Sequence, residues 1–110
     1  MATDVLLVLS TFPPGDAAAV AARALVEEKL AACVNLVPGL RSIYVWQGKL
    51  EDEAEVLALI KTTSDRFEAM RTRLLQLHPN QVPEIIAVSA VDGHLEYLGW
   101  VRHAVRFESP

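Results

Sequence analysis

The chain is short of sulfur, short of imidazole and without concentrated positive charge, and each shortage removes a class of function. Its 110 residues include one cysteine and three histidines. A lone Cys33 cannot close an intrachain disulfide, which suits a reducing compartment. The usual structural zinc sites need at least two cysteines, so none can form within one chain. Lys and Arg number 10 against 14 Asp and Glu, a formal net charge of −4. Apart from Arg71 and Arg73 the basic residues are scattered, so no stripe could follow a phosphate backbone and nucleic acid is not an expected partner. The apolar run in "MATDVLLVLSTF" has no basic residues ahead of it and is far too short to span a bilayer, so no membrane association is expected and a cytoplasmic location is. GxSxG, a Gly-rich phosphate loop, HExxH and CxxC are all missing. Ser10, Ser42, Ser64 and Ser89 lack any context that marks a nucleophile, so no enzyme is expected.

Apolar residues, by contrast, are plentiful. They make up 52% of the chain, and mean hydropathy is +0.26. The length predicts one domain, residues 1–110. A domain of this size buries only about two-thirds of the surface its unfolded chain exposes. The excess apolar surface therefore points to a homo-oligomer.

"VLLVLST", residues 5–11, reads as a strand buried on both faces. "FPPGD" breaks it, and Asp16 can cap a helix with an inner stripe of Ala18, Ala22, Leu25, Val26 and Leu30. "AACVNLV", residues 31–37, is followed by a break at Pro38-Gly39. "SIYVWQG", residues 42–48, reads as a strand ending at a turn on Gln47-Gly48. Residues 49–61, "KLEDEAEVLALIK", are ambiguous. Their composition favours a helix, whereas the alternation of Glu51, Glu53 and Glu55 after a Gly turn favours the returning arm of a hairpin. Ser64 or Asp65, with Glu68 at capping-box spacing, starts a helix whose apolar face is Phe67, Met70, Leu74 and Leu77. That helix stops at His78-Pro79. "EIIAVSAV", residues 84–91, reads as another buried strand. Asp92 can cap a final helix carrying Leu95, Leu98, Val101 and Val105. If 49–61 is extended, the order is β-α-β-β-α-β plus a terminal helix, the ferredoxin-like pattern.

Few side chains are candidates for chemistry. Cys33 sits in an apolar run, where a cysteine is either a small hydrophobe or a thiolate ligand. Soft sulfur with imidazole suits copper(I) or zinc, and copper(I) needs few ligands. His78 ends a helix, where the macrodipole favours it without any ligand. His94 and His103 are expected to face solvent. Glu84 opens a strand after Pro83, either solvated or paired with a cation such as Lys61. Tyr44 and Trp46, two apart, share a strand face and can anchor an interface or wall a pocket.

"EKLAACVN", "SIYVWQGKLEDEAEV", "IKTT", "HPNQVPEI" and "YLGWV" occur together and in order. On that set the chain resembles the CutA divalent-cation tolerance family over roughly residues 5–102. The resemblance implies an α+β, ferredoxin-like β-α-β-β-α-β sandwich with a long bent β-hairpin over residues 42–61, a C-terminal helix and a homotrimeric assembly similar to the PII signalling trimers. The hairpin glutamates would then be solvated at an edge, where charge discourages aggregation. The resemblance further implies tolerance of copper or another divalent metal ion, with metal held by Cys33 and His78. One departure is plain. Asn80 follows "HP" where the family usually has tyrosine, which removes an aromatic wall and a hydroxyl from the elbow.

Three functions follow as expectations. The first is a trimeric metal-binding protein using Cys33, His78 and Glu84, the last as a third ligand or as an acceptor orienting the ring. The second is a sensor trimer that binds a small molecule, anionic metabolites being the first to screen, in subunit clefts lined by Tyr44, Trp46, Lys61 and Glu84. The third is a scaffold trimer with no ligand of its own.

Overall fold

A computed structural model describes residues 2–106. The elements run β1 (Val5–Phe12), α1 (Ala17–Glu27), β2 (Cys33–Trp46), β3 (Lys49–Thr63), α2 (Phe67–Leu77), β4 (Ile86–Ser89) and α3 (Leu95–Ala104). The four strands form one antiparallel sheet in the order β2-β3-β1-β4. This is the ferredoxin-like arrangement expected, with α3 added. The ambiguous segment 49–61 is extended. Its pairing with β2 across a two-residue turn overrides its helical composition, and Gln47 (φ 52) and Gly48 (φ 78) supply the positive φ values such a turn needs.

Paired residues of an antiparallel sheet point to the same face, so register sorts the side chains. Val8 and Phe12 of β1, with Ala58 and Ile60 of β3, point toward α1 and α2 and pack on Ala18, Ala21, Leu25, Met70 and Leu74. Ala21, not Ala22, lies in the α1 stripe, and Val26 is turned out to solvent. Small alanines let α1 lie close to the sheet. Leu7, Leu9, Leu57 and Leu59 point to the opposite face, where α3 covers only one end by packing Leu98, Val101 and Val105 on Val5 and Ala32. Buried Thr62 donates from Oγ1 to the Leu30 carbonyl at 2.7 Å, which fastens β3 to the end of α1.

Several expectations are corrected here. The two segments 31–37 and 42–48 are one strand, β2, because Pro38-Gly39 makes a bulge between Val37 and Leu40 rather than a break. Gly39 tolerates the φ of 84 that the bulge requires. The strand expected to be buried over 84–91 is the short edge strand β4, exposed along its whole length because none of the described residues covers it. β1 is buried at Val8, Ser10 and Phe12 on the side of α1 and α2, and on the other side only at Val5 beneath α3. Leu95 is exposed, since α3 turns Leu98 and Val101 inward. None of the three helices receives a side-chain cap: Asp16 occupies the α1 N-cap without bonding, Thr63 Oγ1 donates to Asp65, and Asp92 accepts the N–H of Gly93.

The C-terminus of α1 closes differently. Leu30 N–H donates to the Leu25 carbonyl and Lys29 N–H to the Val26 carbonyl, a Schellman arrangement. Lysine, not glycine, occupies its left-handed position at φ 60.

Candidate functional site

α2 ends where Pro79 forces the preceding residue out of helical geometry, and His78 is extended at ψ 134. That swing turns the imidazole inward. The ring stacks on Phe12 with centroids 4.1 Å apart. Nε2–H donates to the Thr11 carbonyl at 2.8 Å, and Nδ1 accepts the Asn80 N–H at 3.1 Å. Both nitrogens are therefore engaged, and the geometry fixes the neutral tautomer. Burial pushes the ring below its ordinary value near 6.5, outweighing the opposing pull of the Thr11 carbonyl and of Glu55. His78 thereby pins the elbow 78–84 to the end of β1.

Beyond Val56, β3 no longer pairs with β1, and Lys49–Glu55 pairs with β2 alone. The result is a two-stranded arm projecting about 20 Å at ~3.3 Å per residue. Its two faces differ. Ile43, Val45 and Leu50 lie on one side, each more than 60% exposed. Tyr44 and Trp46 lie on the other with Glu51, Glu53 and Glu55. The Arg41 guanidinium forks onto Asp52 at 2.7 and 2.6 Å and holds its carboxyl below the usual carboxylate range.

Between the arm and the elbow lies a cleft of about 520 Å³, lined by Thr11, Ser42, Tyr44, Trp46, Glu55 and Glu84 together with Asn80 and its neighbours. Asn80, the residue that replaces an aromatic ring at this point of the elbow, is part of the lining. Burial, then the charges of Glu53, Glu55 and Glu51, push the Tyr44 phenol up, so it stays protonated in a field of negative sign.

Of the four residues expected to line a cleft between subunits, Tyr44, Trp46 and Glu84 lie on this cleft within the single chain. Lys61 is not among them. It pairs with Cys33 and Leu7 at the far end of the sheet, and its Nζ lies 5.5 Å from the Tyr97 ring centre. Glu84 consequently has no ion pair with Lys61 and is exposed. Cys33 and His78 are also apart within the chain. Cys33 is level with Leu7 on the face carrying α3, whereas His78 reaches Thr11 and stacks on Phe12 at the helix face. Four strand positions separate Leu7 from Thr11, about 13 Å. Among the described residues no group of three or more His, Cys, Asp or Glu gathers closely enough to hold a metal ion. His94 and His103 are exposed. Glu55, Ser42 and Thr11 are cleft residues that the sequence reading missed. The alternation of Glu55 with Val56, read in register with Tyr44, was the available signal.

Residues 6–104 match the family described as CutA1 divalent ion tolerance protein. The chain is 51% identical over 96 residues to the divalent-cation tolerance protein CutA of Thermus thermophilus, covering 87% of this chain and 93% of that protein. It superposes on the crystal structure of CutA from Xylella fastidiosa with a TM-score of 0.92, at 45% identity, covering 94% of this chain and 100% of that one. A structure described as the periplasmic divalent cation tolerance protein CutA from Archaeoglobus fulgidus gives a TM-score of 0.89 at 33% identity, covering 93% and 99%.

Proposed function

Because the chain belongs to the CutA1 divalent ion tolerance family, we propose that it works as a cytoplasmic homotrimer that binds copper or another divalent ion. The observation that carries the assembly is the uncovered apolar face of the sheet. Ile86 is 52% and Val88 48% exposed, beside Leu7, Leu9, Leu57 and Leu59, while Ile43, Val45 and Leu50 form a separate exposed apolar strip on the other face of the arm. Exposed apolar area of this extent, beside the outer edge of β4, is the surface that subunits cover for one another. The protein is a binding protein rather than an enzyme, consistent with the lack of any nucleophile or metal-hydrolase motif.

For the ion, the candidate donors remain Cys33, His78 and Glu84. Cys33 lies on the face assigned to assembly, so a copper(I) thiolate there takes its further ligands from another chain. His78 joins a site only by giving up the bond between Nδ1 and Asn80 or that between Nε2 and Thr11. Copper titration of the intact oligomer is the test, with Cys33→Ser, His78→Ala and Glu84→Gln alongside wild type. Loss of affinity in Cys33→Ser supports the thiolate site; undiminished affinity in all three variants removes these ligands.

A second reading, a sensor trimer of the PII kind, is favoured by one observation. The cleft beside the elbow has the volume and aromatic walls of a small-molecule site.

A further inference from the structure

We propose that the cleft between the hairpin arm and the elbow binds an organic cation, a small amine or quaternary ammonium compound. The proposal deepens the sensor reading and rests on it. Charge complementarity selects the ligand class. Glu55 and Glu84 line the cleft, and no Lys, Arg or His does. Neither carboxylate is committed to a hydrogen bond or ion pair among the described residues. Of the basic groups nearby, Arg41 is forked onto Asp52 on the opposite face of the arm, Lys61 lies over Tyr97, and Lys49, level with Trp46 on its face, is outside the cleft lining. An anion entering here would meet two uncompensated carboxylates.

The walls fit the same class. Tyr44 and Trp46 share a face and are 40% and 42% exposed within the single chain. Aromatic faces attract ammonium groups through the ring quadrupole, tryptophan most strongly. Size separates an organic cation from a bare ion. About 520 Å³ falls in the range of small-molecule sites, roughly 300–1,000 Å³. A hard divalent ion needs six or more oxygens drawn tightly around it. Ser42, Thr11 and Asn80 supply neutral polar groups at the margin for a hydroxyl or amide on the ligand.

The test uses the intact protein and three probes, followed by calorimetry and ligand-observed NMR. Choline carries the charge, 3,3-dimethyl-1-butanol has its shape without the charge, and citrate carries the opposite charge. Choline is expected to bind, with its neutral analogue weaker by about tenfold. Glu55→Gln and Glu84→Gln should each weaken choline about fivefold while leaving the oligomer mass and the melting midpoint unchanged. Equal binding of choline and its analogue overturns the proposal, as does choline affinity unaltered in both glutamine variants. Preferential binding of citrate overturns it too, yet leaves the sensor reading standing. Binding of none of the three overturns the proposal; the sensor reading falls separately, if a wider screen of neutral and anionic metabolites also finds no ligand.

Discussion

Lys29 holds a left-handed conformation at φ 60 immediately after α1, completing the hydrogen bonds that close the helix. A side chain with a Cβ costs about 1 kcal/mol there relative to glycine. Lys29→Gly should therefore raise stability by up to ~1 kcal/mol, read as a higher urea midpoint at unchanged slope. His78 makes the opposite kind of contribution, conditional on pH. Its ring titrates near 6.5 when unfolded, and burial lowers that value in the fold. Between the two values the unfolded chain takes up a proton and the folded one does not, so stability is full above about 6.5 and falls as pH drops through that window. Denaturation midpoints measured from pH 8 to pH 5 should show this decline in wild type and lose that component in His78→Gln. Of His78, the helix-terminating position was legible from Pro79. Its bond to Thr11 was not, because the partners lie 67 residues apart in sequence.

Among the elements, the arm and the elbow differ in how they are held. The arm has only its own cross-strand pairs beyond Glu55, and an isolated two-stranded ribbon is marginal in water. Its turn places Gln47 at φ 52, a conformation asparagine adopts more readily than glutamine. Gln47→Asn should slow hydrogen exchange of the amides flanking the turn, with little change in the global midpoint; equal exchange in both proteins would show that the turn does not limit the arm. The elbow is anchored instead by one buried ring, stacked on Phe12 and bonded on both sides. Phe12→Ala should cost about 3–5 kcal/mol by urea denaturation and loosen the elbow with the core.

For the whole molecule, the decisive feature is the sheet face that α3 leaves open. Val88 pairs with Leu7 there, and a carboxylate at its position would have to be desolvated on assembly. Light scattering is expected to give about three times the chain mass of 12.1 kDa for wild type at micromolar concentration, and a single-chain mass for Val88→Glu. A wild-type particle of one chain would remove the assembly and any thiolate site shared across it.

What the sequence by itself determined is local. Alternation, proline and glycine punctuation and helical spacing mark the strands and helices, the turn at Gln47-Gly48 and the end of α2, because φ/ψ preferences act over a few residues. The apolar excess was equally plain, since composition needs no geometry. Tertiary structure alone decided that Pro38-Gly39 bends a strand instead of ending it, that Cys33 and His78 lie on opposite faces, and that within the chain Lys61 lies away from the arm's cleft while Glu55 lines it. Those outcomes depend on register, where a shift of one residue exchanges the two faces of a strand, and register is set by pairing between segments far apart in the chain.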